Sequence, residues 1–159
     1  MDSRGFSLIE VMMVVVVVGI VLTAGIPAFG TFRDGMVLVQ ARGQVSQDLR
    51  MARQVAVTRH CPVIVTFGDG STTTNVGNYT IHYDTNGDGV VAAGERAFNR
   101  TMPGGTRLSS VTLSPTDQLT FDMSGVLAPG TGGGQLVFAS RRGRVDTLLV
   151  SATGVVYRP

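Results

Sequence analysis

The spacing of apolar residues changes twice along the chain. Residues 11–32 carry no charge, and residues 11–18 read VMMVVVVV. In a helix rising 1.5 Å per residue, about twenty such residues cover a hydrocarbon layer of roughly 30 Å, so this stretch predicts a helix able to span a bilayer. Beyond Arg33 the apolar positions Ala41, Val45, Leu49, Ala52 and Ala56 fall at three- and four-residue steps, one face of an amphipathic helix running to about Arg59. Gln40, Arg42, Gln47, Arg50 and Arg53 read as a solvated or inter-subunit face. Gly35 and Gly43 lower helix propensity and mark flexible points. Past Cys61 the period becomes two: Val63, Val65 and Phe67 alternate, then Tyr79, Ile81 and Tyr83. Further strands are expected at 118–122, 135–140, 146–151 and 155–157, joined by short turns that favour antiparallel hairpins. The predicted class is α+β, a long N-terminal helix packed on an antiparallel β-sheet head.

Composition narrows the function. A chain of 159 residues supports one modest core. A net charge of +2 excludes a nucleic-acid-coating tail, although every basic residue is Arg, the better bidentate partner for phosphate and carboxylate. With one cysteine, Cys61, there is no internal disulfide and no Cys-rich zinc site; a small buried residue is its simplest reading. His60 and His82 are the only histidines. His60 and Cys61, adjacent on a strand, would point to opposite faces and make no nucleophile–base pair. Residues 130–134 are Gly-rich but lack the Lys-Ser/Thr ending of a phosphate loop, and read as a flexible turn. Nothing here describes an enzyme.

Glu10 is the informative anomaly, an acid set against the apolar run. A carboxylate at membrane depth costs about 2.5–3.5 kcal/mol and signals a partner, whereas a secretory signal peptide has a basic start, a shorter apolar core and a small-residue cleavage site. Residues 24–28 (AGIPA) could imitate that site, which leaves a secreted calcium-binding β-domain as the alternative of another class. Residues 4–10, RGFSLIE, resemble the leader of type IV prepilins and type II secretion pseudopilins. The resemblance implies that a prepilin peptidase cuts between Gly5 and Phe6, that Phe6 becomes the N-methylated terminus, and that Glu10 pairs with the terminal ammonium of a neighbouring subunit. The implied organisation is a leader at 1–5, a transmembrane helix at 6–32, its amphipathic continuation at 33–60 and a periplasmic head at 61–159. Pro27 would stand where many pilins have a helix-kinking proline.

The remainder is similar to the GspH/FimT family of minor pseudopilins and minor pilins, through LRMARQVAVT at 49–58, the loop at 84–95, the step at 121–125 and a glycine-led final strand. This implies a structural subunit of a type II secretion pseudopilus, held in the bacterial inner membrane and partnered by other pseudopilins. A FimT-like minor pilin that takes up DNA is the alternative. The loop itself satisfies D-x-[DN]-x-[DN]-G-x5-E, so Asp84, Asn86, Asp88, the Val90 carbonyl and Glu95 are candidate calcium ligands. No helices flank it and its ninth position is Ala92, so a hairpin turn is the alternative. Arg141, Arg142 and Arg144 form the densest basic patch, and with Arg158 they are the candidate nucleic-acid contacts. The Gly-Arg-x-Arg motif of DNA-binding relatives is nevertheless incomplete in GVVYR at 154–158.

If Gly5 is the cleavage residue, Gly5→Glu leaves the protein as a full-length precursor while Gly5→Ala is processed. Immunoblots of membrane fractions read the outcome, and mature-size protein from Gly5→Glu would refute the assignment.

Overall fold

The computed structural model describes residues 6–68, 76–90, 92, 94–114 and 117–159, with only the backbone of 24–28 and 114. The expected leader, including Gly5, lies outside the described residues. Helix α1 spans Leu8–Arg59 as one element of 52 residues. It opens after Ser7, whose carbonyl accepts the first amides, from Glu10 at 3.0 Å and Val11 at 3.2 Å. An acid in this first turn suits the positive end of the helix dipole. The helix closes at His60, which turns left-handed (φ 50°), and Pro62 two residues on lacks the amide needed to continue. It runs unbroken through position 27 and through Gly35 and Gly43, so the two glycines expected as flexible points interrupt nothing.

Eight strands follow among the described residues: β1 (Val63–Phe67), β2 (Asn78–Tyr83), β3 (Arg96–Thr101), β4 (Arg107–Ser114), β5 (Gln118–Phe121), β6 (Gly132–Ala139), β7 (Val145–Val150) and β8 (Val156–Tyr157). They form two antiparallel sheets, ordered β3-β2-β1-β5 and β4-β6-β7-β8. The head therefore has two sheets where the sequence suggested one. Strands β3 and β4 were not expected. β3 is an edge strand, mostly exposed on both faces, so it carries no alternation to read. β4 shifts register against β6 between Leu108 and Ser110 and again between Thr112 and Ser114, which breaks the period of two. The Gly-rich run expected as a turn instead begins β6: a Cβ at Gly133 or Gly134 would strike the carbonyls of Val150 or Thr112 on the flanking strands.

The core lies where both sheets meet one face of α1. Ala41, Val45, Leu49, Ala52 and Ala56 are fully or almost fully buried, as their spacing predicted. They pack with Phe67, Tyr79 and Leu119 of the first sheet and with Leu108, Leu136 and Phe138 of the second. Three of the five helix residues are alanine, which lets the sheets approach the backbone closely. At the other end of α1 the large side chains from Leu8 to Leu22 are exposed. Among the described residues no helix is long and apolar enough to cross a membrane. The run 8–23 amounts to roughly 24 Å of helix before the positions described by backbone alone begin.

Two segments that carried the resemblance touch each other. The Asp122 carboxylate accepts amides from Ser124 at 2.8 Å and Val126 at 3.0 Å, making the turn after β5. Gly154, at φ 75°, leads into β8 beside Phe121. A Cβ at Gly154 would come within 2.8 Å of the Phe121 ring. Gly154→Ala therefore adds both a left-handed backbone cost and a clash, and is expected to destabilise by about 2–4 kcal/mol. Thermal melts of the full chain in detergent should show this as a lower Tm, and an unchanged Tm would contradict the packing.

Candidate functional site

At the free end of α1, Phe6 and Glu10 are exposed. The Glu10 carboxylate has no partner among the described residues.

In the head, the β2–β3 register closes on Tyr83 opposite Arg96, which brings the two ends of the 84–95 loop together. Asp84 is buried and accepts the Gly87 amide at 2.7 Å and the Gly89 amide at 2.8 Å. Asp88 accepts the Val90 amide at 2.8 Å and the Asn86 side-chain amide at 2.9 Å, while the Asn86 side-chain oxygen accepts the Asp88 amide at 3.1 Å. Glu95 accepts the Thr85 amide at 2.9 Å and the Asn86 amide at 3.3 Å through one oxygen. Its other oxygen lies 2.5 Å from Nε2 of buried His82. The His82 hydrogen bond, helped by the Thr85 and Asn86 amides and opposed by desolvation, holds the Glu95 carboxyl down to about 2. The candidate calcium ligands are thus brought into one loop, with the carboxylates engaged by amides and a ring nitrogen. Among the described residues no group of three or more His, Cys, Asp or Glu is arranged to hold a metal ion.

The His82–Glu95 pair was missed in the sequence. The signal was present: His82 faces Ala97 across the hairpin, and Glu95 stands two positions before Ala97 on the same face, the diagonal neighbour. His60 and Cys61, expected on a strand, instead lie between α1 and β1, the first exposed at the helix end and the second buried.

The basic patch is at the β6–β7 turn, and this turn rests on α1. Nη1 of Arg144 donates to the Thr31 carbonyl at 3.2 Å, and Arg142 lies 3.5 Å from Asp34. Arg158 is elsewhere, 3.8 Å from Asp146. Asp146 also binds Arg42 at 2.6 Å, so Arg42, expected on a solvated face, ties helix to sheet. The four candidate nucleic-acid arginines are thus three at one turn and one apart.

A second tie escaped the sequence entirely. Tyr79 donates to buried Asp48 at 2.6 Å, Gln44 donates to the Tyr79 hydroxyl at 3.1 Å, and Arg100 lies 3.4 Å from the same carboxylate. Burial first, and the Asp48 bond second, push the Tyr79 hydroxyl far above its ordinary range.

The model of the family "Type II transport protein GspH" matches residues 41–154, and that of the "Prokaryotic N-terminal methylation motif" matches residues 1–26. Among curated proteins no relative matches the chain. Two crystal structures of the Pseudomonas aeruginosa (strain PAO1) type IV minor pilin FimU are similar. One is 20% identical with a TM-score of 0.46, covering 77% of this chain and 92% of that one. The other is 19% identical with a TM-score of 0.49, covering 80% and 92%.

Because the Glu95 carboxyl is depressed on folding, its stabilising effect is complete above about 4.5, its ordinary value, and fades as pH falls towards about 2. In excess chelator, the Tm difference between wild type and Glu95→Gln should be largest near neutral pH and shrink across that window. A difference independent of pH would contradict the assignment. In the same melts at neutral pH, calcium must compete with amide hydrogen bonds. A rise is expected only at millimolar calcium and should vanish in Asp88→Ala; identical wild-type melts with chelator and with calcium would leave the loop a hydrogen-bonded turn.

Proposed function

The chain belongs to the GspH family of type II transport proteins, and from that premise we propose that it is a minor pseudopilin, a structural subunit of a type II secretion pseudopilus. It acts by assembly rather than by catalysis. In this reading prepilin peptidase removes residues 1–5 and methylates Phe6, α1 anchors the subunit in the inner membrane, and the head stands in the periplasm. The matched methylation motif supports the processing step, and the secretion reading is in keeping with the matched family's description as a type II transport protein.

The observation that carries the proposal is the divided character of one helix. Its second half is built into the core of the head, while in its first half the large apolar side chains from Leu8 to Leu22 are exposed. Such a surface needs lipid or other apolar helices around it. Lipid tails are as apolar as leucine side chains, so the stem can pass from bilayer to filament at little apolar cost. What changes on assembly is the surroundings of Glu10. An unpaired carboxylate at that depth costs about 2.5–3.5 kcal/mol, and the methylated ammonium of a neighbouring subunit's Phe6 relieves it, fixing the axial register of the two.

Cells lacking the chain, complemented with wild type or Glu10→Ala, test this. Wild type should restore secretion of folded exoproteins. Glu10→Ala should reach the membrane at normal levels yet reduce secretion, and its recovery in sheared filaments, by on the order of tenfold or more. Full secretion with Glu10→Ala would contradict the role of Glu10. Intact secretion in the null strain, with loss of pilus-dependent motility instead, would place the subunit in a type IV pilus.

A further inference from the structure

Three arginines without a partner among the described residues gather near where the head meets the exposed stem. Arg33, Arg107 and Arg141 are exposed and make no hydrogen bond or ion pair among the described residues. They line two adjoining clefts of about 310 and about 300 Å³ that share Arg141. The first holds Arg107 with Ser140 and the second holds Arg33 with Phe29. Asp34 is the one acid lining either cleft, and Arg142 faces it at 3.5 Å.

The fold builds this cluster. The β6–β7 turn is pinned to α1 through Arg144 and the Thr31 carbonyl, over a separation of 113 residues. Two glycines make the space: a Cβ at Gly30 would collide with the Arg142 guanidinium, and one at Gly105 with that of Arg141. The turn also meets the helix at a particular level. Residues 11–32 carry no charge, and Arg33 is the first charged residue after Glu10. From Glu10 to Arg33 is about 35 Å of helix, against a hydrocarbon layer of roughly 30 Å. The end of the apolar run and the convergence of distant arginines thus coincide on one turn of α1, beside the exposed aromatic rings of Phe29 and Phe32. Basic side chains near the end of an apolar helix reach to the membrane interface, and Phe29 and Phe32 add apolar surface beside them.

We propose that Arg33, Arg107 and Arg141 form a collar that binds the phosphate of anionic phospholipid headgroups at the foot of the head. The proposal rests on the membrane-anchor reading of α1. Each guanidinium offers a planar pair of donors to phosphate oxygens, and Arg142 and Arg144 serve to hold the turn in place. The collar fixes the depth and tilt of the subunit in the bilayer, and its hold on the headgroups must be released when the subunit is drawn into a filament. A nucleic acid is the less suitable partner, because the second cleft, lined by Phe29, Gly30 and Arg33, opens beside the apolar stem, although the first is lined by head residues.

The full chain in non-ionic micelles doped with equal amounts of short-chain phosphatidylglycerol and phosphatidylcholine provides the test, with bound lipid counted by native mass spectrometry. Wild type should retain phosphatidylglycerol in clear excess. One basic side chain near an anionic surface contributes about fivefold, so R33Q/R107Q/R141Q should lower the ratio of the two lipids by on the order of a hundredfold. R33K/R107K/R141K should recover part of it. None of the three arginines makes a hydrogen bond or ion pair among the described residues, so the variants should melt like wild type, which the same samples can confirm. Equal ratios in wild type and the Gln variant would overturn the collar. So would displacement of the lipid by millimolar inorganic phosphate, which would indicate a free-anion site, or tighter binding of a short DNA duplex lost in the same variant. Alkaline extraction of cell membranes separates this from the anchor itself: release of wild type into the supernatant refutes the anchor, whereas retention together with equal lipid ratios refutes only the collar.

Discussion

Everything in this structure depends on the packing of one helical stripe, residues 41, 45, 49, 52 and 56, against two sheets at once. The stripe is narrow and built mainly of alanine, so the sheets close on the helix backbone and leave no separate core behind it. This half of α1 is thus part of the head's core, and it is continuous with the exposed apolar stem. The polar ties from Asp48 to Tyr79 and from Arg42 to Asp146 reinforce that packing from opposite sides. Both are partly shielded from water, where such pairs hold geometry better than exposed ones do.

How much of this was legible follows from where each signal came from. The helix stripe was read residue for residue, because burial on one face of a helix leaves a 3.6 period in the sequence. So were β1 and β2, whose inward positions alternate. β3 was invisible because an exposed edge strand such as RAFNRT needs no apolar alternation, and β4 because its bulges move its inward residues out of step. The glycines at the start of β6 looked like a turn. Only the close approach of two neighbouring strands reveals that they serve a crowded ladder.

The candidate site divides along the same line. Local patterns such as the 84–95 loop were found as patterns, but the sequence could not show that its carboxylates turn onto backbone amides and His82. Contacts between residues distant in sequence were beyond reach, since no periodicity links Tyr79 to Asp48 or Arg144 to Thr31. The arginines at 141, 142 and 144 were seen as a turn patch. Their meeting with Arg33 at the foot of the head is a product of topology.

The central claim is that the apolar segment is a retained part of the folded subunit, shared between anchor and core. The intact mass of the mature protein isolated from membranes measures this most directly. The account predicts a chain that begins at Phe6 and carries one added methyl group. A chain beginning beyond residue 28, with the apolar segment removed, would contradict it.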